Sequence, residues 1–102
     1  MLEYILSKSD KKDKKYMVQF LNEFSGRINT IHFGSFGSSD YTISNDDKRK
    51  SLYKIRHASD KINDLNYAGA WSMNLLWNKK TLMESIKDME RKFNISIVLQ
   101  FP

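Results

Sequence analysis

The sequence predicts an α+β fold in which a small antiparallel sheet is covered by about three helices. Three observations point there. Apolar residues alternate through residues 15–33, the period lengthens to about 3.6 after residue 43, and a β-branched run, ISIVL, closes the chain at residues 95–99. With 102 residues the chain fits one domain and is too short for two independent cores. A hydrophobic share of 40% and an aromatic share of 13% belong to a folded chain rather than a disordered one.

Residues 1–14 carry Lys8, Lys11, Lys12 and Lys14 and read as a lysine-rich, flexible segment ahead of a single domain over residues 15–102. Their apolar start is too short for a signal peptide or a membrane span, and the lysines follow it instead of preceding it. With no cysteine there is no disulfide framework and no thiolate metal site. These features lead us to expect a soluble, unprocessed, intracellular chain. Residues 15–20 (KYMVQF) and 27–33 (RINTIHF) read as two strands joined through the turn-type residues 21–26 (LNEFSG), which makes a hairpin. Residues 34–40 (GSFGSSD) form a loop whose two glycines suit a tight turn needing positive φ. A phosphate-cradling loop would lead straight into a helix with Gly or Lys-Ser/Thr at fixed offsets, whereas this one leads to YTI, a short extended piece at residues 41–43.

The first helix is expected to begin near Ser44 or Asn45, where Ser44-Asn-Asp-Asp47 has the spacing of a capping box, and to end near His57. In it Leu52 and Ile55 should face inward. Lys50, Lys54 and His57 should share an outer face, beside a stripe of Arg49, Tyr53 and Arg56. Residues 59–66 read as a loop, and Asn66 is placed to cap a second helix containing AGAWSMNLLW. At about 100° per residue its tryptophans, Trp71 and Trp77, point about 120° apart, so they cannot form one flat patch. A helix apolar nearly all round belongs in a core. The third helix opens with the capping box Thr81-Leu-Met-Glu84, aligns Leu82, Ile86, Met89 and Phe93 on one face, sets Asp88 four residues before Lys92, and stops at Asn94. Residues 95–99 then supply a strand that adds to the hairpin.

The formal net charge is +5. Residues 48–57 concentrate it, with Lys48, Arg49, Lys50, Lys54, Arg56 and His57 uninterrupted by any acid and with Tyr53 among them. Such a block is the usual footprint of a partner that carries phosphates. Catalytic chemistry is harder to find. His32 and His57 lie in different elements, so a zinc site would need Asp40, Asp46 or another carboxylate to converge by folding alone. No serine has a nucleophile-elbow context, and Asp46-Asp47 is better explained by helix capping than by paired-carboxylate catalysis. The expectation is a protein that is not an enzyme and takes no cofactor, metal, small-molecule substrate or membrane partner.

Four blocks carry a resemblance. They are His32, Phe33, Gly34, Gly37, Asp40, Tyr41 and Thr42; Arg56 and His57; Trp71, Ser72, Leu76, Trp77, Asn78 and Lys79; and Ser85, Ile86, Lys87 and Asp88. The pattern resembles a family of small, basic proteins without an assigned activity encoded by giant viruses, the nucleocytoplasmic large DNA viruses. The chain departs from it in residues 21–26, which lengthen the hairpin, and at Ala70, Met73, Asn74 and Lys80. The resemblance implies viral origin and a location in the cytoplasmic virus factory or the virion, and it supplies no catalytic residues. Two functions follow as expectations. One is a nucleic-acid-binding module, for DNA or RNA, in which Lys48, Arg49, Lys50, Lys54, Arg56 and His57 meet phosphates with little sequence preference and Tyr53 stacks. The other is a minor capsid or cement protein that touches other virion proteins through Phe24, Phe36 and Trp77.

Overall fold

The computed structural model describes residues 2–101, so the outermost residue at each end of the two expected segments lies outside it. An α+β fold is what it shows, but the sheet is mixed rather than antiparallel. Its strands β1 (Leu2–Lys8), β2 (Lys14–Asn22), β3 (Arg27–Ser35) and β4 (Ile95–Leu99) lie in the order β3-β2-β1-β4. The expected hairpin is present, with Tyr16 opposite Phe33 and Val18 opposite Ile31. β1 runs antiparallel to β2, and β4 lies parallel to β1 with Tyr4 opposite Ile97. Parallel neighbours require a long crossover, and here the crossover contains the hairpin and every helix. That pairing is non-local, which is why the closing run announced a strand without announcing its direction.

The N-terminal segment is corrected as well. Residues 2–8 are not a flexible arm but an inner strand, with Tyr4 and Leu6 buried against the helices. Of the lysines that suggested an arm, Lys8 ends β1, Lys14 begins β2, and Lys11 and Lys12 lie in the turn between, where the Ser9 amide donates to the Lys15 carbonyl and the Lys14 amide to the Lys11 carbonyl. A solvated turn and a solvated tail share the same composition.

One face of the sheet carries Tyr4, Leu6, Val18, Phe20, Phe33, Ile95 and Ile97, the alternate residues that each strand turns to the core. Helices α3 (Ala68–Trp71) and α4 (Leu82–Phe93) cover it, with Trp71, Leu75, Leu76, Ile86 and Met89 filling the space between. α4 matches its expectation closely. The Thr81 hydroxyl accepts from the Glu84 amide, Ile86 and Met89 are buried, and Asn94 ends the helix at φ 54°. The Asp88 pair is different: Asp88 accepts from Asn78 and from Arg91, while Lys92 donates to Asn74. The Asn78 hydrogen bond is the main reason the Asp88 carboxyl is held below its usual range, helped by Arg91 and opposed by partial burial.

The tryptophan segment is helical and buried as expected, but it is not one regular helix. α3 lasts one turn and widens into a π-helical turn, Ser72–Leu76, after which the Trp77 amide reaches back to the Ser72 carbonyl. Trp77 is 8% exposed, so it is no protein-docking anchor. The Trp71 indole N–H donates to the Leu65 carbonyl, and the Asn74 amide donates to the carbonyls of Ile62 and Ala70, which ties down the preceding loop.

Residues 41–43 are helical rather than extended. Asp40 caps a one-turn helix α1 (Tyr41–Ser44), and the chain turns at Asn45 through φ 52°. Asp46 then caps α2 (Asp47–Arg56) by accepting from the amides of Lys48 and Arg49, so Ser44 to Asp47 is not a capping box. Each aspartate starts its own helix because a short carboxylate captures the first free amides. The inward face of α2 is also reversed. Leu52 and Ile55 are exposed, while Lys50, Tyr53 and His57 turn toward the body of the protein, because the Tyr53 ring stacks on Trp77.

Gly34 sits where β3 meets the helical layer. At φ 79° a Cβ there would lie 2.9 Å from Leu76 Cδ1 and 3.2 Å from Lys15 Cβ, whereas Gly37, at φ 86°, has open space around it. Gly37→Ala should therefore lose only the left-handed backbone preference, about 1–2 kcal/mol. Gly34→Ala should lose a further ~1–3 kcal/mol from overpacking. Urea midpoints at unchanged slope check this, and equal losses would show that Leu76 moves aside freely.

Candidate functional site

α2 and the Gly34 end of the β2–β3 hairpin face each other across a cleft of about 570 Å³. Arg49, Leu52, Tyr53 and Arg56 recur at intervals of three, one and three on the α2 wall, the spacing of one helical face. Lys14, Lys15 and His32 stand on the hairpin wall, and Leu76 and Trp77 form the floor. Local folding brings these walls together. Register places Lys14 opposite Ser35 at the mouth of the hairpin, and the loop that follows leads directly to the Asp40 and Asp46 caps from which α2 departs.

The charges on the walls are not equivalent. Lys15 is ion-paired with Asp40, the aspartate buried and the lysine largely covered, and Asp40 also accepts from the Thr42 amide. Its charge is therefore committed to the fold. His57 Nδ1 lies 2.8 Å from an Asp60 oxygen; His32 Nδ1 lies 2.7 Å from Ser9 Oγ and its Nε2 3.9 Å from Asp10. Lys14, Arg49 and Arg56 make no ion pair among the described residues. Three cations on two opposed walls thus line one concavity outside any ion pair, while the two carboxylates that also line it, Asp40 and Asp60, are engaged by Lys15 and His57. Burial pushes the Tyr53 phenol up, opposed by its hydrogen bond with Ser72, so it remains protonated and neutral beside them.

Of the residues expected to contact nucleic acid, Arg49, Tyr53, Arg56 and His57 share the cleft. The others do not join them. Lys48 is exposed away from it, and Lys54 lines a separate pocket of about 240 Å³ with Asn78, Asp88 and Lys92. Lys50 turns inward, donating to the Asn78 carbonyl at 2.5 Å with its ammonium 4.6 Å from the Tyr41 ring centroid. Burial, reinforced by Lys54 and Lys79, holds its pKa below the usual lysine value. Tyr53 cannot stack a base. Trp77 lies 4.5 Å from it at 8° and His57 lies 4.2 Å from it at 26°, and two rings so close cannot share one face. Both faces of Tyr53 are covered.

Phe24 and Phe36 are exposed, as a contact role would require. They sit at opposite ends of a hairpin whose strands are nine residues long, roughly 30 Å apart along the strand direction, and so cannot form one patch. Lys14, Lys15 and His32 were missed as cleft residues. The hairpin register held the signal, because lysines at the start of one strand must neighbour the loop that leaves its partner.

Residues 4–57 match a family of unknown function, DUF5754. The chain belongs to this family. The DUF5754 match runs from β1 through the last residues of α2 and contains both walls of the cleft, while Leu76 and Trp77 of the floor lie beyond it. No curated protein and no solved structure matches this DUF5754 chain. Among the described residues no group of three His, Cys, Asp or Glu side chains is placed to hold a metal ion, and no helix is long and apolar enough to cross a membrane.

The ion pair behind the cleft gives a test of its scaffold. Asp40→Ala would strand the buried Lys15 ammonium and remove the α1 cap, with an expected loss of about 3–5 kcal/mol in urea unfolding. A loss below about 1 kcal/mol, the level of an exposed pair, would show that Lys15 simply swings into solvent.

Proposed function

We propose that this protein is a non-enzymatic module that binds nucleic acid through its phosphates, with little sequence preference. The observation that carries the reading is the convergence of Arg49 and Arg56 from α2 with Lys14 from the hairpin on one cleft, none of them ion-paired among the described residues. Cations kept for solubility diverge into solvent, as Lys48 does; like charges gathered around one concavity repel and favour an anion there beyond the engaged Asp40 and Asp60. Arginine suits that anion when it is a phosphate, because its planar fork donates two parallel hydrogen bonds. Affinity would come from counterion release, and contacts of this kind carry no base information. The resemblance to giant-virus proteins supports placing such a module in a virus factory or a virion.

A second reading, a minor capsid or cement protein, is favoured by the exposure of Phe24 and Phe36 alone. Charge reversal separates the two. By fluorescence anisotropy across a salt series, the wild-type protein should bind labelled nucleic acid with a log–log salt slope of roughly −2 to −3, for three phosphates. R49E/R56E should weaken binding at least about ten-fold more than K48E/K54E, although both double variants change the net charge equally. Equal losses would reduce the effect to bulk charge, and absence of wild-type binding at low salt would overturn the reading in favour of protein contacts.

A further inference from the structure

Resting on the nucleic-acid reading, we infer that the ligand of the cleft is a single strand, with phosphates at Arg49, Arg56 and Lys14 and one base stacked on the open end of a ring ladder formed by Trp77, Tyr53 and His57. Two independent observations lead there.

The first is shape. A duplex is read by a convex element that enters a groove about 12 Å wide and meets phosphates on its rims. Arg49 and Arg56 instead face into a concavity of about 570 Å³, a volume typical of sites for nucleotide-sized ligands. The two arginines are separated by seven residues, about 10 Å along the helix axis, so they reach different phosphates of one strand. A concavity of that volume suits a ligand about the size of one nucleotide and not a base-paired duplex.

The second is the ladder. Because Trp77 and His57 occupy opposite faces of Tyr53, the three rings form a continuous stack. One end, Trp77, is in the core at 8% exposure. The other, His57, lines the cleft with its side chain 38% exposed, and no aromatic ring covers its second face among the described residues. Asp60, which also lines the cleft, lies 2.8 Å from Nδ1 and fixes the orientation of the imidazole. The stack begins in the core and ends at His57, which borders both the cleft and the neighbouring pocket of about 240 Å³ and adjoins Arg56 in sequence. Any base can extend it, since stacking tolerates every sequence.

The test uses the full chain with a labelled single-stranded DNA, a single-stranded RNA and a duplex of equal length at one low salt concentration. Either single strand should bind about ten-fold or more tightly than the duplex, and the arm that binds identifies the sugar. His57→Ala should weaken single-strand binding roughly 5- to 150-fold, the range for one lost stacking partner. His57→Tyr, which keeps an aromatic face and loses the imidazole, should retain it. Circular dichroism of both variants excludes unfolding as the cause. Equal or tighter duplex binding, or an unaffected His57→Ala protein, overturns the single-strand inference and leaves the phosphate reading standing. Failure of the wild-type protein to bind any of the three probes overturns the phosphate reading itself.

Discussion

The contact between Tyr53 and Trp77 decides how the rest of the molecule is arranged. α2 buries none of its residues completely, and its aliphatic side chains stay exposed, Leu52 on the cleft wall and Ile55 in solvent. What attaches it to the body is one pair of stacked rings, the Lys50 ammonium on the Asn78 carbonyl, and the Tyr41 hydroxyl donating to Asp47 at its first turn. An offset aromatic pair contributes about 0.5–1.5 kcal/mol beyond the area it covers, and it also sets the angle of the helix, which aliphatic packing would leave looser. That angle opens the cleft. Were Leu52 and Ile55 turned to the core, the arginines would point elsewhere and the two basic walls would not face each other.

The opposite wall is built differently. There the fold uses charge inside the scaffold: Lys15 and Asp40 neutralise one another in a buried position, and Asp40 at the same time starts α1. Gly34 lets the strand end approach Leu76 with no side chain between them. A committed pair beneath the surface leaves Lys14 as the free cation of that wall. Neighbouring lysines on the same wall are thus used differently: Lys15 is tied to Asp40 inside the scaffold, while Lys14 lines the cleft outside any ion pair among the described residues.

What the sequence made legible was local. α4 was readable because its cap, its stripe and its stop all lie within fourteen residues of one another, and the β2–β3 hairpin because a short turn enforces its pairing. β1 was obscured by the lysines that follow it and by Ile5, which turns Tyr4 to Leu6 into an unbroken apolar run without the alternation of a strand. The direction of β4 depended on a crossover that local pattern does not describe. The inward face of α2 was misread because periodicity gave Leu52 and Ile55 the core, and only the position of Trp77, twenty-four residues beyond Tyr53, reverses that choice. The π-helical turn that sets Trp77 in place has no signature in a 3.6-residue period. Half of the cleft, Arg49 and Arg56, was visible as composition; the other half required strand register.

The two tryptophans have unlike surroundings. Trp71 is sealed, with no exposed surface and its indole nitrogen bound to a carbonyl, while Trp77 is the inner rung of a stack that runs to the cleft. In optical terms the molecule carries a reference fluorophore and a sensing one. Emission from Trp71 depends on whether the core is intact, and emission from Trp77 depends in addition on how the rings beyond it are aligned. The two fluorophores therefore sit at different depths, one in the sealed core and one in the ring stack beside the cleft.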